Sequence, residues 1–280
     1  MREPYTRIAA HQTLRSLDLG RLWRYRDLLW ALVRRDMVLR YRKSILGPLW
    51  LIIQPLALTF VLLKTMGLIV GQSTHGQPIG LYYMATLILW GYFAQVVPAI
   101  SYVFVYNEYL FNKIYFPRLL VPISMLVTNA VGVALQIAVL GVTMAYLVMR
   151  HVASLDLNLL WLLPIAGSLL AMFALGVGLL IASGTAKYRD LLNAMSFLVQ
   201  AWLFLTPVLY PLSKIPEHLR LLLAIVNPLS VVCDLWQAAF LGTLTSSPSA
   251  IVAATATICA VLMIGFVVFQ RAEQTAADTI

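Results

Sequence analysis

The sequence predicts an all-α integral membrane protein. The expected architecture has six transmembrane helices, an N-terminal amphipathic interface helix and a re-entrant outer helix pair before the last span. Three observations predict this class. Of the 280 residues, 61% are hydrophobic and 11% charged, and the mean hydropathy is +0.85, which does not fit a water-soluble chain. Six apolar stretches approach the roughly 20 residues that a helix needs to cross the hydrocarbon. The basic residues concentrate before the first stretch.

The first element is a basic, half-apolar helix. Its apolar residues recur at spacings of three and four, whereas most of its arginines lie off this stripe. The stripe consists of Leu22, Tyr25, Leu29, Leu32, Val33 and Met37. Such a helix lies on a membrane rather than across it. It either docks a cytoplasmic partner and passes its motion to the first span, or anchors the topology on anionic headgroups. On its own, this stretch favours the anchor.

The six predicted spans are 45–70, 81–106, 119–149, 159–183, 191–210 and 251–269. Of the 20 Lys and Arg residues, 11 precede Leu46, and only Arg150, Lys214 and Arg220 fall outside when this segment is placed in the cytoplasm. The positive-inside rule therefore predicts that both termini are cytoplasmic. We expect a cytoplasmic segment at 1–44, a transmembrane domain at 45–270 and a cytoplasmic tail at 271–280.

Individual residues suggest how the spans pack. Pro55 predicts a kink in the first span, which a bundle can tolerate. In the fourth span, small residues recur on one face and predict close helix packing. They are Gly167, Ala171, Ala174, Gly178 and Ala182. In the second span, Trp90, Tyr92 and Phe93 lie too deep for an interfacial belt. Such rings suit either sugar stacking or helix packing, and packing is the more common outcome.

Two connections carry further candidate sites. In the loop at 107–118, Ile114, Tyr115 and Phe116 lie between Lys113 and Arg118, which suits either a partner contact or a headgroup anchor. Prolines divide 207–244 into two short apolar pieces. These predict a re-entrant pair, with two interfacial surface helices as the alternative. Asp234 favours an aqueous cavity beside this pair, because a carboxylate that faces lipid is costly.

The sequence lacks the motifs of most catalytic classes. There is no phosphate-binding GxxxxGK[ST] loop, no GxSxG, no CxxC and no His and carboxylate cluster with metal spacing. No acidic residue lies at the centre of a predicted span, which weakens an ion-coupled carrier. The net charge of +9 marks orientation rather than a nucleic-acid surface. We therefore expect no enzyme, no cofactor and no metal on this chain, but a pore-forming or moving bundle whose energy source is on another chain.

The order of features resembles the membrane subunits of type-2 ABC exporters, in particular those that export lipid-linked O-antigen, capsule or teichoic acid polysaccharides. The resemblance covers nearly the whole chain. It is carried by RDLLWALVRRDMVLRYRKSILGPLWLIIQP at 26–55, NKIYFPRLLVPIS at 112–124, KYRDL at 187–191 and the proline-rich region at 206–230. The first two segments, at this separation, are specific to the family.

This resemblance implies two copies of the chain and two copies of a cytoplasmic ATPase that binds ATP and Mg, in the cytoplasmic (inner) membrane, with membrane lipids and a lipid-linked glycan as further partners. The implied ATPase contacts are Arg26, Arg34, Arg35, Arg40, Asn112, Lys113, Ile114, Tyr115, Phe116 and Arg118. The outer gate maps to Pro216, Leu219, Pro228 and Asp234, and Trp90, Tyr92 and Phe93 are the channel candidates. Export of a drug or simple lipid is the alternative in this family. A membrane-embedded transferase would need a carboxylate such as Glu108, Asp156 or Asp190.

Overall fold

The computed structural model describes residues 19–42, 44–65, 77–113, 116–188 and 190–278. Within these ranges the chain is helical and contains no strand. The helices are α1 (Leu19–Arg24), α2 (Arg26–Tyr41), α3 (Trp50–Thr65), α4 (Ile79–Ser101), α5 (Val103–Tyr106), α6 (Glu108–Lys113), α7 (Leu120–Met149), α8 (Leu162–Thr185), α9 (Leu191–Leu205), α10 (Glu217–Val226), α11 (Leu229–Leu241) and α12 (Pro248–Asp278). Short 3₁₀ turns precede α3, α8 and α10.

Among the described residues, five helices are long and apolar enough to cross a membrane. They contain α3, α4, α7, α8 and α12. A sixth candidate is the pair α10 and α11, which is bent by 111° at the break formed by Asn227 and Pro228. This confirms the predicted all-α membrane class and the bent pair before the last span.

The fifth predicted span is shorter than expected. The segment at 191–210 forms α9, which ends at Leu205 after 15 residues, about 22 Å at 1.5 Å per residue. Thr206 is extended (φ −101°, ψ 142°) and precedes Pro207. A proline ring disfavours helical backbone in the residue before it, so the helix ends there. By contrast, α7 runs unbroken for 30 residues, because Pro122 lies in its first turn, where a proline is tolerated.

The central element of the bundle is α4, which packs against α3, α7, α8 and α11. Its side chains are buried on nearly every side, including Tyr83, Ile88, Phe93 and Ile100 with no exposed surface. A helix that is apolar all round is expected in such a position, because it has no face to present to water. The hydrophobic core is therefore arranged around α4.

Glycines allow the closest helix contacts. A Cβ on Gly176 of α8 would lie 2.8 Å from the Cα of Leu262, and one on Gly265 of α12 would lie 2.5 Å from the Gly176 carbonyl oxygen. A Cβ on Gly178 would lie 2.8 Å from the Ile100 side chain of α4. Gly178 thus fulfils the predicted packing role, whereas Gly167 faces open space. The tightest contact, at Gly176, lies off the predicted stripe.

The hydrogen bond that α3 loses at Pro55 is replaced by a neighbouring helix. Proline has no N–H, so the Leu51 carbonyl of α3 loses its partner within the helix. The Gln136 amide of α7 donates to this oxygen at 2.7 Å. Beside it, Gly132 leaves room for the Leu51 side chain, which would be 3.2 Å from a Cβ at that position. The first span and α7 are therefore joined by both a hydrogen bond and close packing.

Candidate functional site

The elbow helix, α2, packs its apolar stripe against the bundle. Leu32 and Val33 are buried and Tyr25 and Leu29 are half-buried, with α7 as the main neighbour. This agrees with the predicted amphipathic interface helix. On the outer surface, Trp30 is 61% exposed. An exposed aromatic ring beside arginines is typical of a membrane–water interface.

The arginines assigned to the ATPase fall into two groups. Arg26 and Arg34 are exposed, and Arg26 lies over the Trp23 ring. By contrast, Arg35 and Arg40 extend towards the bundle. Arg35 donates to the Asn107 side-chain oxygen at 3.5 Å, and Arg40 donates to that of Asn129 at 3.1 Å. All four arginines are exposed, but Arg35 and Arg40 also connect the elbow to the residue that follows α5 and to α7, respectively.

The loop at 107–118 is anchored to the bundle by Phe116 and Arg118. Phe116 is only 6% exposed and its ring centroid is 5.9 Å from that of Phe111. Arg118 donates to the Glu273 carbonyl at 3.2 Å, and its guanidinium lies 5.4 Å from the Phe111 ring. Phe116 is therefore enclosed in this conformation, where its ring packs against that of Phe111, and its contact with an ATPase stays a prediction.

Other predicted contact residues are not placed. Ile114 and Tyr115 lie outside the described residues, as do the side chains of Asn112 and Lys113. Their contact with an ATPase stays a prediction. The contacts that are described bring the elbow, this loop and the C-terminal end of α12 to one end of the bundle, through Arg35 with Asn107 and Arg118 with Glu273.

The predicted channel aromatics lie inside the monomer. Phe93 has no exposed surface, and its ring lies 5.8 Å from that of Phe173 and 5.4 Å from that of Trp202. Trp90 and Tyr92 are 7% and 6% exposed, and the Tyr92 hydroxyl donates to the Leu126 carbonyl at 3.3 Å. These rings pack helices together, and an enclosed ring cannot stack on a sugar. The channel assignment therefore disagrees with this conformation.

A different surface carries exposed polar and aromatic groups within an apolar helix. On α9, Asn193, Phe197, Gln200 and Phe204 follow at spacings of four, three and four, and all are exposed. We call these residues the open face. The neighbouring helix α4 is buried or half-buried except at Gln95, a further exposed amide. Amides facing hydrocarbon are costly, so the open face suits water, a polar cargo or another protein surface. The periodicity of Asn193 and Gln200 was a sequence signal for it.

The outer pair has one exposed and one enclosed helix. Pro216 and Leu219, at the start of α10, are exposed, whereas Pro228 and every residue of α11 are buried. Asp234 does not face a cavity. Its carboxylate accepts hydrogen bonds from the backbone N–H groups of Thr245 and Ser246, at 3.0 and 2.7 Å. The cavity interpretation of Asp234 is therefore wrong, because the carboxylate secures the turn that leads into α12.

Asn227, at the bend of the pair, was not singled out from the sequence. Its side-chain oxygen accepts from the Trp202 indole at 3.1 Å. Its amide nitrogen donates to the Leu205 carbonyl and to the Thr206 hydroxyl, at 3.1 and 3.0 Å. The bond to Leu205 satisfies a backbone carbonyl in the last turn of α9, and the three bonds together fasten that end of the helix to the bend. Movement of α9 would therefore be transmitted directly to the outer pair.

Comparison with known proteins agrees with this architecture. The family model described as "ABC-2 type transporter" matches residues 27–241. The O-antigen export system permease protein RfbA of Myxococcus xanthus is 32% identical over 225 residues, which cover 78% of this chain and 82% of that protein. An RfbA protein of Klebsiella pneumoniae is 25% identical, and the match covers 93% of this chain and 96% of that protein. The polysialic acid transport protein KpsM of Escherichia coli is 24% identical, and the match covers 73% of this chain and 78% of that protein.

Proposed function

Because the chain belongs to the ABC-2 type transporter family of membrane permeases, we propose that it is the transmembrane subunit of an ATP-driven exporter that moves a lipid-linked polysaccharide across the cytoplasmic membrane. The observation that carries the cargo class is the similarity, over most of the chain, to permeases named for O-antigen export and polysialic acid transport. Energy comes from a separate ABC ATPase in two copies, which binds ATP and Mg.

The docking site for this ATPase combines the exposed arginines of the elbow with the loop at 112–118. The internal contacts of the elbow support this role, because Arg35 and Arg40 attach it to the bundle and leave Arg26 and Arg34 outside. ATP binding brings the ATPase copies together and moves the elbow with them. The resulting change is a population shift driven by contacts that differ between two states. Both termini lie on the cytoplasmic side, which agrees with the excess of Lys and Arg there.

Two copies of the chain enclose the path, and the open face of α9 lines it. An exposed amide in a membrane helix loses little free energy when it faces a hydrated glycan, and the neighbouring Phe197 and Phe204 offer flat apolar surfaces to sugar rings. The opposite arrangement, with these amides in lipid, leaves them without partners. Asn227 couples this face to the outer pair, which forms the exit gate.

The test is ATP hydrolysis by the chain reconstituted with its ATPase. We expect lipid-linked glycan to stimulate hydrolysis and to become enclosed in proteoliposomes in an ATP-dependent manner. The matched control is the same lipid carrier without glycan, which should stimulate less. Equal stimulation by the bare carrier, or by a hydrophobic drug, would contradict a polysaccharide cargo and favour export of a simple lipid or drug.

A further inference from the structure

A cleft of about 420 Å³ lies between the elbow helix and the bundle. It is bounded by α2, by the end of α4 and the residues at 106 and 107, and by the first half of α7. Its polar lining includes Arg35, Asp36, Arg40, Tyr106, Asn107 and Asn129. Leu39, Ala99 and Met125 supply apolar surface in the same cleft. A cleft with cationic and apolar parts suits an amphiphilic anion.

Two asparagines hold the arginines in the same manner. Asn107 donates to the Val103 carbonyl at 3.2 Å, and Asn129 donates to the Met125 carbonyl at 2.7 Å. Each amide is thereby fixed to the preceding turn, and its oxygen accepts from an elbow arginine. A neutral amide orients a guanidinium but does not neutralise its charge. The arginine charges, on residues that are also exposed to solvent, therefore stay available to an acidic partner.

Only Arg35 has such a partner in this lining. Its Nη2 lies 2.8 Å from the Asp36 carboxylate. Within the described part of the chain, no ion pair involves Arg40, and its bond to Asn129 uses one of the five N–H donors of a guanidinium. The cleft thus carries one uncompensated positive charge. A ligand that matches this cleft therefore has a single negative charge and several acceptor oxygens.

We propose that this cleft binds the phosphodiester headgroup of an anionic phospholipid, with Arg40 as the residue that holds the phosphate. A phosphodiester carries one negative charge, which matches the cleft, and guanidinium groups bind phosphate oxygens with directed, charge-assisted hydrogen bonds. The Tyr106 hydroxyl offers a further donor in the lining. Free phosphate shares this chemistry but has no apolar part for Leu39 and Met125 to contact.

The position of the cleft favours a lipid over a soluble anion. It lies under an amphipathic helix whose outer residue Trp30 is 61% exposed. Such a helix lies at the level of the headgroups. A lipid in the cleft would contact the elbow and α7 together. The attachment of the elbow would then depend on the anionic lipid content of the membrane, and this inference does not depend on the exported cargo.

The test is native mass spectrometry of the full-length chain, purified with any partner subunits and titrated with phosphatidylglycerol or phosphatidylcholine. We expect tighter binding of phosphatidylglycerol, and a roughly tenfold loss of that affinity in Arg40→Gln, the change expected for one charge-assisted hydrogen bond. Arg42→Gln is the matched control, because Arg42 is exposed two residues away and does not line the cleft. It should retain the preference.

A second variant keeps the guanidinium in place. Asn129→Asp puts a carboxylate beside Arg40 and should abolish the preference by neutralising its charge. Thermal unfolding in lipid-free detergent shows whether each variant folds. An equal loss in Arg40→Gln and Arg42→Gln would overturn the proposal in favour of general surface charge. Displacement of bound phosphatidylglycerol by inorganic phosphate would overturn the lipid assignment, whereas its retention supports it.

Discussion

The contact between α8 and α12 at Gly176 can be tested by adding a single methyl group. In Gly176→Ala, the new Cβ would lie 2.8 Å from the backbone of Leu262, whereas ordinary contact begins at 3.4 Å. Ordinary contact is restored if the two helices separate by about 0.6 Å, the difference between these distances. Backbone atoms cannot rotate away as a side chain can, so the displacement affects the whole helix pair.

Two opposing effects determine the free energy of unfolding of this variant. Alanine favours a helix over glycine by up to about 1 kcal/mol. Overpacking costs roughly 1–3 kcal/mol, and here the obstacle is rigid, so we expect the upper part of that range to prevail. Each kcal/mol changes Tm by roughly 2–4 °C in domains of 150–250 residues. The net prediction is a Tm that is lower by several °C.

Gly167→Ala is the matched control, because Gly167 belongs to the same helix and nothing lies within 4 Å of its Cβ position. It receives the gain in helix propensity without the clash, so its Tm should be unchanged or slightly higher. The measurement is thermal unfolding in detergent, followed by tryptophan fluorescence and by loss of the monodisperse size-exclusion peak. Equal Tm values for the two variants would refute the close packing of α8 on α12.

Three further predictions concern the coupling and transport surfaces. Gln136→Leu removes the donor to the Leu51 carbonyl and should lower stability by about 0.6–1.7 kcal/mol in thermal unfolding, whereas Ala138→Leu, on an exposed position of the same helix, should not. Phe116→Ala should cost roughly 3–5 kcal/mol as a core truncation, and a variant with unchanged Tm would show that the ring is exposed. Asn193→Leu combined with Gln200→Leu should reduce glycan-stimulated ATP hydrolysis without loss of folded protein; if the open face instead meets lipid, stability should rise and hydrolysis should not change.

The helical layout could be predicted because it depends on local composition. Apolar length and the cluster of prolines at 207–228 were sufficient to place the long helices and the bent pair. The end of α9 was misplaced by five residues, because hydropathy continues past Thr206 while the backbone leaves the helix before Pro207. Hydropathy averaged over many residues does not detect a restriction on the dihedral angles of one residue.

Side-chain direction could not be predicted where a helix is apolar all round. In α4 the composition offers no polar face, so nothing in the sequence shows that Phe93 points to Phe173 and Trp202. In α9, by contrast, the spacing of Asn193 and Gln200 does mark a face. Asp234 bonds to residues 11 and 12 positions later, a pairing that only the turn before α12 creates.

The contacts of α7 change the expected path of motion from the elbow. If the turn between α2 and α3 were the only connection, a displacement of α2 would move α3 alone. In this turn Ser44 accepts a hydrogen bond from the Gly47 N–H at 3.1 Å, and Gly47 adopts a left-handed φ of +50°. However, α7 is bonded to the chain on both sides of this turn. Asn129 accepts a hydrogen bond from Arg40, which precedes the turn, and Gln136 donates one to the Leu51 carbonyl, which follows it. Because these residues lie seven positions apart, about two turns of one helix, the elbow and the turn of α3 that precedes Pro55 are attached to the same helix. A displacement of the elbow must therefore move α7 together with α3 or break one of these two bonds.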